Sequence, residues 1–184
     1  MRSRTSRAPA RDRIGVGRAV RPVPRCRSAW RLEAQPTYTV ASERPKIDRW
    51  RAGEPRPTEH NAAWGDRIRA WTAEGKTIGR VRVESEPLTE YQQYQHAWTF
   101  PANSAAGEVL YLLEAATAKE LGLPPQDFWV FETDGDGSAG LSVVWLNFRP
   151  DGTIIDRVLA DPEEAVRLRE LLVVARGRAR RFKT

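Results

Sequence analysis

The sequence predicts an α+β fold, a mostly antiparallel sheet of about five or six strands with two to four helices packed on it. Three observations predict it. Residues 77–84 alternate between apolar and charged side chains, as a half-buried strand does. The runs at 127–131, 141–148 and 153–158 are rich in β-branched and aromatic residues and are separated by turn residues, which makes an antiparallel meander. Asp161-Pro162-Glu163-Glu164 then opens a helix, with a capping aspartate, a proline at the first position and acids at the positive end of the helix dipole. Sheet residues followed by helices that dock on them define the class.

Residues 1–27 contain no aromatic residue and no apolar period, so they cannot bury enough surface to offset the entropy of ordering. They read as a disordered arginine-rich leader. A single domain is expected over residues 28–175, followed by a basic tail at 176–184. Trp30, Leu32 and Ala34 alternate with polar residues as on a strand that Pro36 ends or interrupts. Ser42 is placed to cap a helix through Ala52, with Gly53 as its stop. Asn61 is placed to cap another in which Trp64, Ile68 and Trp71 recur at helical spacing. Pro87 suits a helix start, with Leu88, Tyr91 and Tyr94 on one side. Residues 108–113 fit either a buried strand or the start of a longer helix, and the strand followed by a short helix is preferred.

Charge divides the chain unevenly. Nine arginines against one aspartate give residues 1–27 a charge of +8, and four arginines with one lysine give residues 176–184 a charge of +5. The total of +6 therefore leaves −7 for the body. An acidic body disfavours a phosphate-tracking groove, and restricts nucleic-acid binding to weak, sequence-independent contacts of the tails. No apolar run suits a membrane span or a signal-peptide core, so cytoplasmic residence without membrane contact is the expectation. One cysteine and two histidines disfavour a disulfide or a structural zinc site, and no cofactor is expected.

Known chemical motifs fail on inspection. The segment from Asp134 has turn chemistry, but Ala139 and Trp145 stand where a calcium loop needs glycine and glutamate. Asp136 stands where a nucleophile elbow at Ser138 needs glycine. His60 and His96 have no evident nucleophile to serve, and Cys26 falls in the leader. Catalytic residues are not assigned. One polar cluster remains: Glu84, Glu86, Tyr91, Tyr94, Asn103 and Glu108, with His96 among them, follow the central strand and are candidates for a polar pocket. The alternative is a solvated loop in which Asn103 holds a turn. Arg80 and Arg82 read as cross-strand partners of acidic neighbours rather than as a substrate clamp.

Three ordered segments carry a family resemblance: Ala29-Trp30-Arg31-Leu32-Glu33, then Gly79-Arg80-Val81-Arg82-Val83 with Ser85-Glu86-Pro87-Leu88-Thr89, and Leu121-Gly122-Leu123-Pro124 with Asp127-Phe128-Trp129-Val130-Phe131. The chain resembles an actinobacterial domain-of-unknown-function family from about Ser28 to the last helix. The resemblance implies no particular reaction. Members are commonly encoded near Xre-type helix-turn-helix regulators, which implies a regulatory or protein-interaction module and such a regulator as partner. This chain departs from relatives at Gln93 and Gln95, where an arginine and an acid are usual, and at Val109, Leu110 and Tyr111, where charges are usual. Its Arg-Pro-Val-Pro-Arg-Cys-Arg lead-in replaces an acidic aromatic helix and has the composition of an altered reading frame or start site. The function expected is therefore a non-enzymatic regulatory module, with a small enzyme or ligand binder at Glu84–Glu108 as the alternative, and weak nucleic-acid binding by the tails as the third.

Overall fold

A computed structural model describes residues 13–14, 26–134 and 140–183. Strand alternation and helix-forming stretches build three layers, with helices on both faces of one mixed sheet. The strands are β1 (Arg13–Ile14), β2 (Cys26–Glu33), β3 (Thr77–Glu84), β4 (Val109–Glu114), β5 (Asp127–Thr133), β6 (Leu141–Phe148), β7 (Ile154–Leu159) and β8 (Arg180–Arg181). Their order across the sheet is β1-β7-β6-β5-β2-β3-β4-β8. The β5–β6–β7 meander is antiparallel, as its short turns dictate.

The sheet differs from the expectation in two ways. It has eight strands among the described residues, two of them only two residues long, and it contains two parallel pairings, β2 with β3 and β3 with β4. The physical reason is helical crossovers. Helices α1 (Arg44–Arg51) and α2 (Ala62–Ala73) connect β2 to β3, and a longer helical segment connects β3 to β4. That second crossover is α3 (Glu90–Tyr94), a π-helical turn over Gln95–Thr99, and α4 (Phe100–Ala106). With α5 (Ala115–Glu120) and α6 (Pro162–Arg178), there are more helices than the two to four expected.

Residues 108–113 resolve as the preferred reading held: β4 followed by the short α5. Asp161 caps α6 by accepting a hydrogen bond from the Glu164 N–H at 2.8 Å. Thr89 caps α3 in a reciprocal box with Gln92. Asn61 starts α2 differently from the expectation, through a left-handed backbone at φ 58° and no side-chain cap.

Cys26 opens β2 and is buried, so the thiol belongs to the sheet and not to the leader. The rest of the proposed leader, apart from Arg13–Ile14 and Arg27, lies outside the described residues, as does the turn expected over 134–138 beyond Asp134. In the proposed basic tail, β8 pairs with β4 and Phe182 packs beside Phe100, Leu110 and Leu112.

Side chains segregate by face. Trp30, Leu32, Val81, Phe128, Val130, Val143 and Trp145 point to one side, where Ala118 of α5 and Leu168, Leu172 and Ala175 of α6 cover them. On the other side Cys26, Ala29, Ile78, Phe131, Val144 and Leu146 pack with Ile68 of α2 and Ala106 of α4. Gly79 falls on the first side by the same alternation as Val81, and nothing larger fits there: a Cβ would lie 2.4 Å from the Trp30 ring and 2.6 Å from the Val109 carbonyl.

Candidate functional site

The second face carries an unusual cargo for a covered surface. Alternation in β2 and β3 aligns Arg31 with Arg80 and Glu33 with Arg82, and brings Arg31 opposite Trp129 of β5. Helices then close over them, so Glu33, Arg80, Arg82, Glu108 and Asp127 are all buried. Charges in a low-dielectric interior persist only when paired or well hydrogen-bonded: Glu33, Arg80, Glu108 and Asp127 are ion-paired, and Arg82 is held by backbone carbonyls. Arg80 donates from Nε to Glu108 at 2.7 Å and from Nη1 to Glu33 at 2.9 Å. Arg31 contacts Glu33 at 3.0 Å and donates to Asp127 at 2.6 Å. Asn103 donates to the other oxygen of Glu108 at 2.7 Å.

Asp127 and Arg82 turn this network into a loop anchor. Asp127 accepts from the backbone N–H groups of Ala34 and Gln35 and from the Tyr38 hydroxyl. Arg82 donates to the carbonyls of Glu33, Gln35 and Pro36. The chain after β2 is thus held on the sheet without regular pairing. The Pro150-Asp151-Gly152 turn fixes its far end: Thr39 N–H donates to the Gly152 carbonyl at 3.0 Å. Gly152 has φ +83°, and a Cβ would come within 2.7 Å of the Thr37 carbonyl.

Between this loop, the sheet and the helices lies a cavity of about 480 Å³. Arg31, Glu33 and Arg80 line its charged side; Trp129, Leu146, Phe148 and Ile154 form an apolar floor. Trp64, Tyr91, Gln95 and Asn103 close it from the helices, and Arg157 of β7 stands at the end away from Arg80. The size is that of a small-molecule site, and a mainly apolar lining with a few placed polar groups is its usual make-up. The Arg31 guanidinium also stacks on Tyr38, 5.2 Å from the ring centroid.

The electrostatics favour fixed charge over proton exchange. Burial alone would raise the Glu33 carboxyl, but Arg80, Arg31 and Arg82 outweigh it and bring it down to about 2. Burial would lower Arg31 and Arg80, yet their carboxylate partners hold both above the ordinary arginine value. Burial, then nearby carboxylates, pushes the Tyr38 and Tyr91 phenols up. Among the described residues no three His, Cys, Asp or Glu side chains gather in a metal-binding set.

The six residues singled out from sequence fall in several places. Tyr91 and Asn103 line the cavity, and Glu108 lies directly behind, joined to Asn103 and Arg80. Tyr94 is buried instead among Trp50, His60, Tyr91 and Trp98. Glu84 is at the far end of β3, 2.6 Å from His96 Nε2 and 2.9 Å from Arg180. Glu86 is exposed. Of the two glutamines that the family resemblance singles out, Gln95 lines the cavity and Gln93 is exposed. Sequence reasoning missed Arg31, Glu33, Tyr38, Asp127 and Arg157 as site residues. The signal for the first two was present in the Trp-Arg-Leu-Glu alternation, which places charges on one face; nothing local told that helices would cover that face.

Fold and site together define an α+β domain with a charged, covered sheet face opening on a small cavity. The chain matches the family described as Domain of unknown function (DUF6879) over residues 22–184, and it belongs to that family. No curated protein and no solved structure matches it. Among the described residues no helix is long and apolar enough to cross a membrane.

Proposed function

We propose that this domain binds a small molecule in the cavity between β2, β5, β6 and the α2–α4 helices, and that it acts as a regulatory module rather than as a catalyst. The observation that carries the reading is the 480 Å³ cavity set against buried, paired charges. Binding is favoured over chemistry because the lining groups are poor proton carriers near neutrality. Glu33 titrates near 2, and the arginines and tyrosines titrate far above 7. His96 pairs with Glu84 away from the cavity. This reading takes the ligand-binding alternative of the sequence and moves its centre from Glu84–Glu108 to Arg31, Arg80 and Asn103.

A helix-turn-helix regulator is the partner that the actinobacterial family resemblance suggests, and it would read the occupied state. Copurification with such a regulator supports the regulatory half; its failure to associate in the native host removes it. Nucleic-acid contact by the tail is less favoured, because Arg180 is engaged with Glu84 and Arg180–Arg181 pair with β4. The binding half is tested by thermal shift against a panel of small acids, sugars, nucleosides and amines. A ligand that binds only the native state raises the melting temperature by mass action. At least one saturating shift is expected, and a flat response across the panel counts against the reading.

A further inference from the structure

Arg157 separates itself from the other charges of the cavity. Arg31 and Arg80 each face two carboxylates, whereas Arg157 has no ion pair among the described residues, and its Nη1 is buried without a hydrogen-bond partner. It stands across β6 from the charged row: Arg157 is opposite Leu146, which is opposite Asp127. A half-buried guanidinium without a counterion is a costly feature unless an anion completes it.

The rest of the lining narrows the anion. Two further N–H donors of the lining, Arg31 Nε and Trp64 Nε1, are buried without partners, against the acceptor Gln95 Oε1 and the Thr99 hydroxyl, which can donate or accept. The site thus wants acceptors. Arg31 and Arg80 are matched by Glu33, Asp127 and Glu108, which leaves Arg157 as the lining arginine without an ion pair among the described residues. A single unmatched guanidinium suits a monoanion better than a dianionic phosphoryl group, and it repels an amine. Beside Arg157 lies the apolar floor of Leu146, Phe148 and Trp129, with Trp64 among the helical residues that close the cavity, surfaces on which a flat ring stacks well.

We propose that the cavity takes an aromatic monocarboxylate, its carboxylate paired with Arg157 and its ring laid along Trp129 and Phe148. The proposal rests on the ligand-binding reading above and specifies the chemical class. Neighbouring strands are about 4.8 Å apart, so the backbones that carry Arg157 and Arg31 are about 14 Å apart, and a ring anchored at Arg157 lies over β6 and β5 on the way to Arg31.

The test is calorimetric titration of the full chain with four probes: 2-naphthoate, hexanoate, 2-naphthylmethylamine and inorganic phosphate. Saturable binding of 2-naphthoate, at least tenfold tighter than of the other three, is expected. Arg157→Gln, which breaks no ion pair among the described residues, should weaken 2-naphthoate tenfold or more with a melting temperature of the free protein that is not lowered, and Arg157→Lys should recover part of the loss. Trp129→Leu should weaken it independently. Tighter binding of hexanoate, the amine or phosphate overturns the class and leaves the ligand-binding reading standing. Unchanged affinity in Arg157→Gln overturns the anchor. Silence from all four probes overturns the proposal, while the wider thermal panel decides the broader reading separately.

Discussion

The two faces of the sheet solve the same problem in opposite ways. Under α6, Trp30, Leu32, Phe128, Val130, Val143 and Trp145 make an ordinary apolar core. On the other side, the neighbouring positions of β2 and β3 carry Arg31, Glu33, Arg80 and Arg82, covered by α2–α4 and by the loop after β2. Both are covered, yet only one gains free energy simply by leaving water. The other must recover the desolvation of its charges through close ion pairs, and such networks seldom exceed a well-packed apolar replacement in stability.

The comparison breaks most sharply at Arg80. Arg80→Met leaves Glu33 and Glu108 buried without their shared cation and should cost about 3–5 kcal/mol in urea unfolding. Replacing the set together, as Glu33→Leu, Arg80→Met and Glu108→Leu, should return most of that loss. If the triple variant is as unstable as the single one, the charges serve the fold after all. On the apolar face, Gly79→Ala forces a Cβ against the Trp30 ring and a backbone carbonyl, and should cost about 1–3 kcal/mol.

Next comes a pH effect confined to the helical cover of the polar face. Burial, then the charges of Lys46 and Arg56, lowers His60 from 6.5 to about 4. Between those values the unfolded chain takes up a proton that the folded chain refuses. Stability is therefore full above pH 6.5 and is lost as pH falls toward 4, by on the order of 2 kcal/mol. His60→Gln should flatten that part of the profile measured by denaturant unfolding. The smallest effect belongs to the other face: Asp161→Ala removes the cap of α6 and should cost about 1 kcal/mol, read as a lowered melting temperature.

These contrasts also show what a single sequence discloses. The meander, β3 over Thr77–Glu84 and the capped start of α6 were legible because period, turn residues and capping chemistry are local signals. Parallel pairing was not, since β2, β3 and β4 meet through long crossovers whose closure no local pattern encodes. The site divided in the same way. Tyr91, Asn103 and Glu108 were found because they cluster in the chain near a strand end. Arg31, Asp127 and Arg157 come from strands far apart in sequence and meet only through register. The same alternation that marked Arg80 and Arg82 as polar suggested a solvated face, and the helices α2–α4 reverse that environment without leaving a trace in β3 itself.

The most direct test of ligand binding on the polar face uses the tryptophans that divide between the two sides. Indole N–H resonances of the ¹⁵N-labelled full chain can be followed during titration with 2-naphthoate. Trp64 and Trp129 line the cavity, whereas Trp30 and Trp145 lie in the opposite core. The account predicts saturable shifts at Trp64 and Trp129 with Trp30 and Trp145 unmoved. Shifts centred on Trp30 and Trp145, with Trp64 and Trp129 silent, would contradict it.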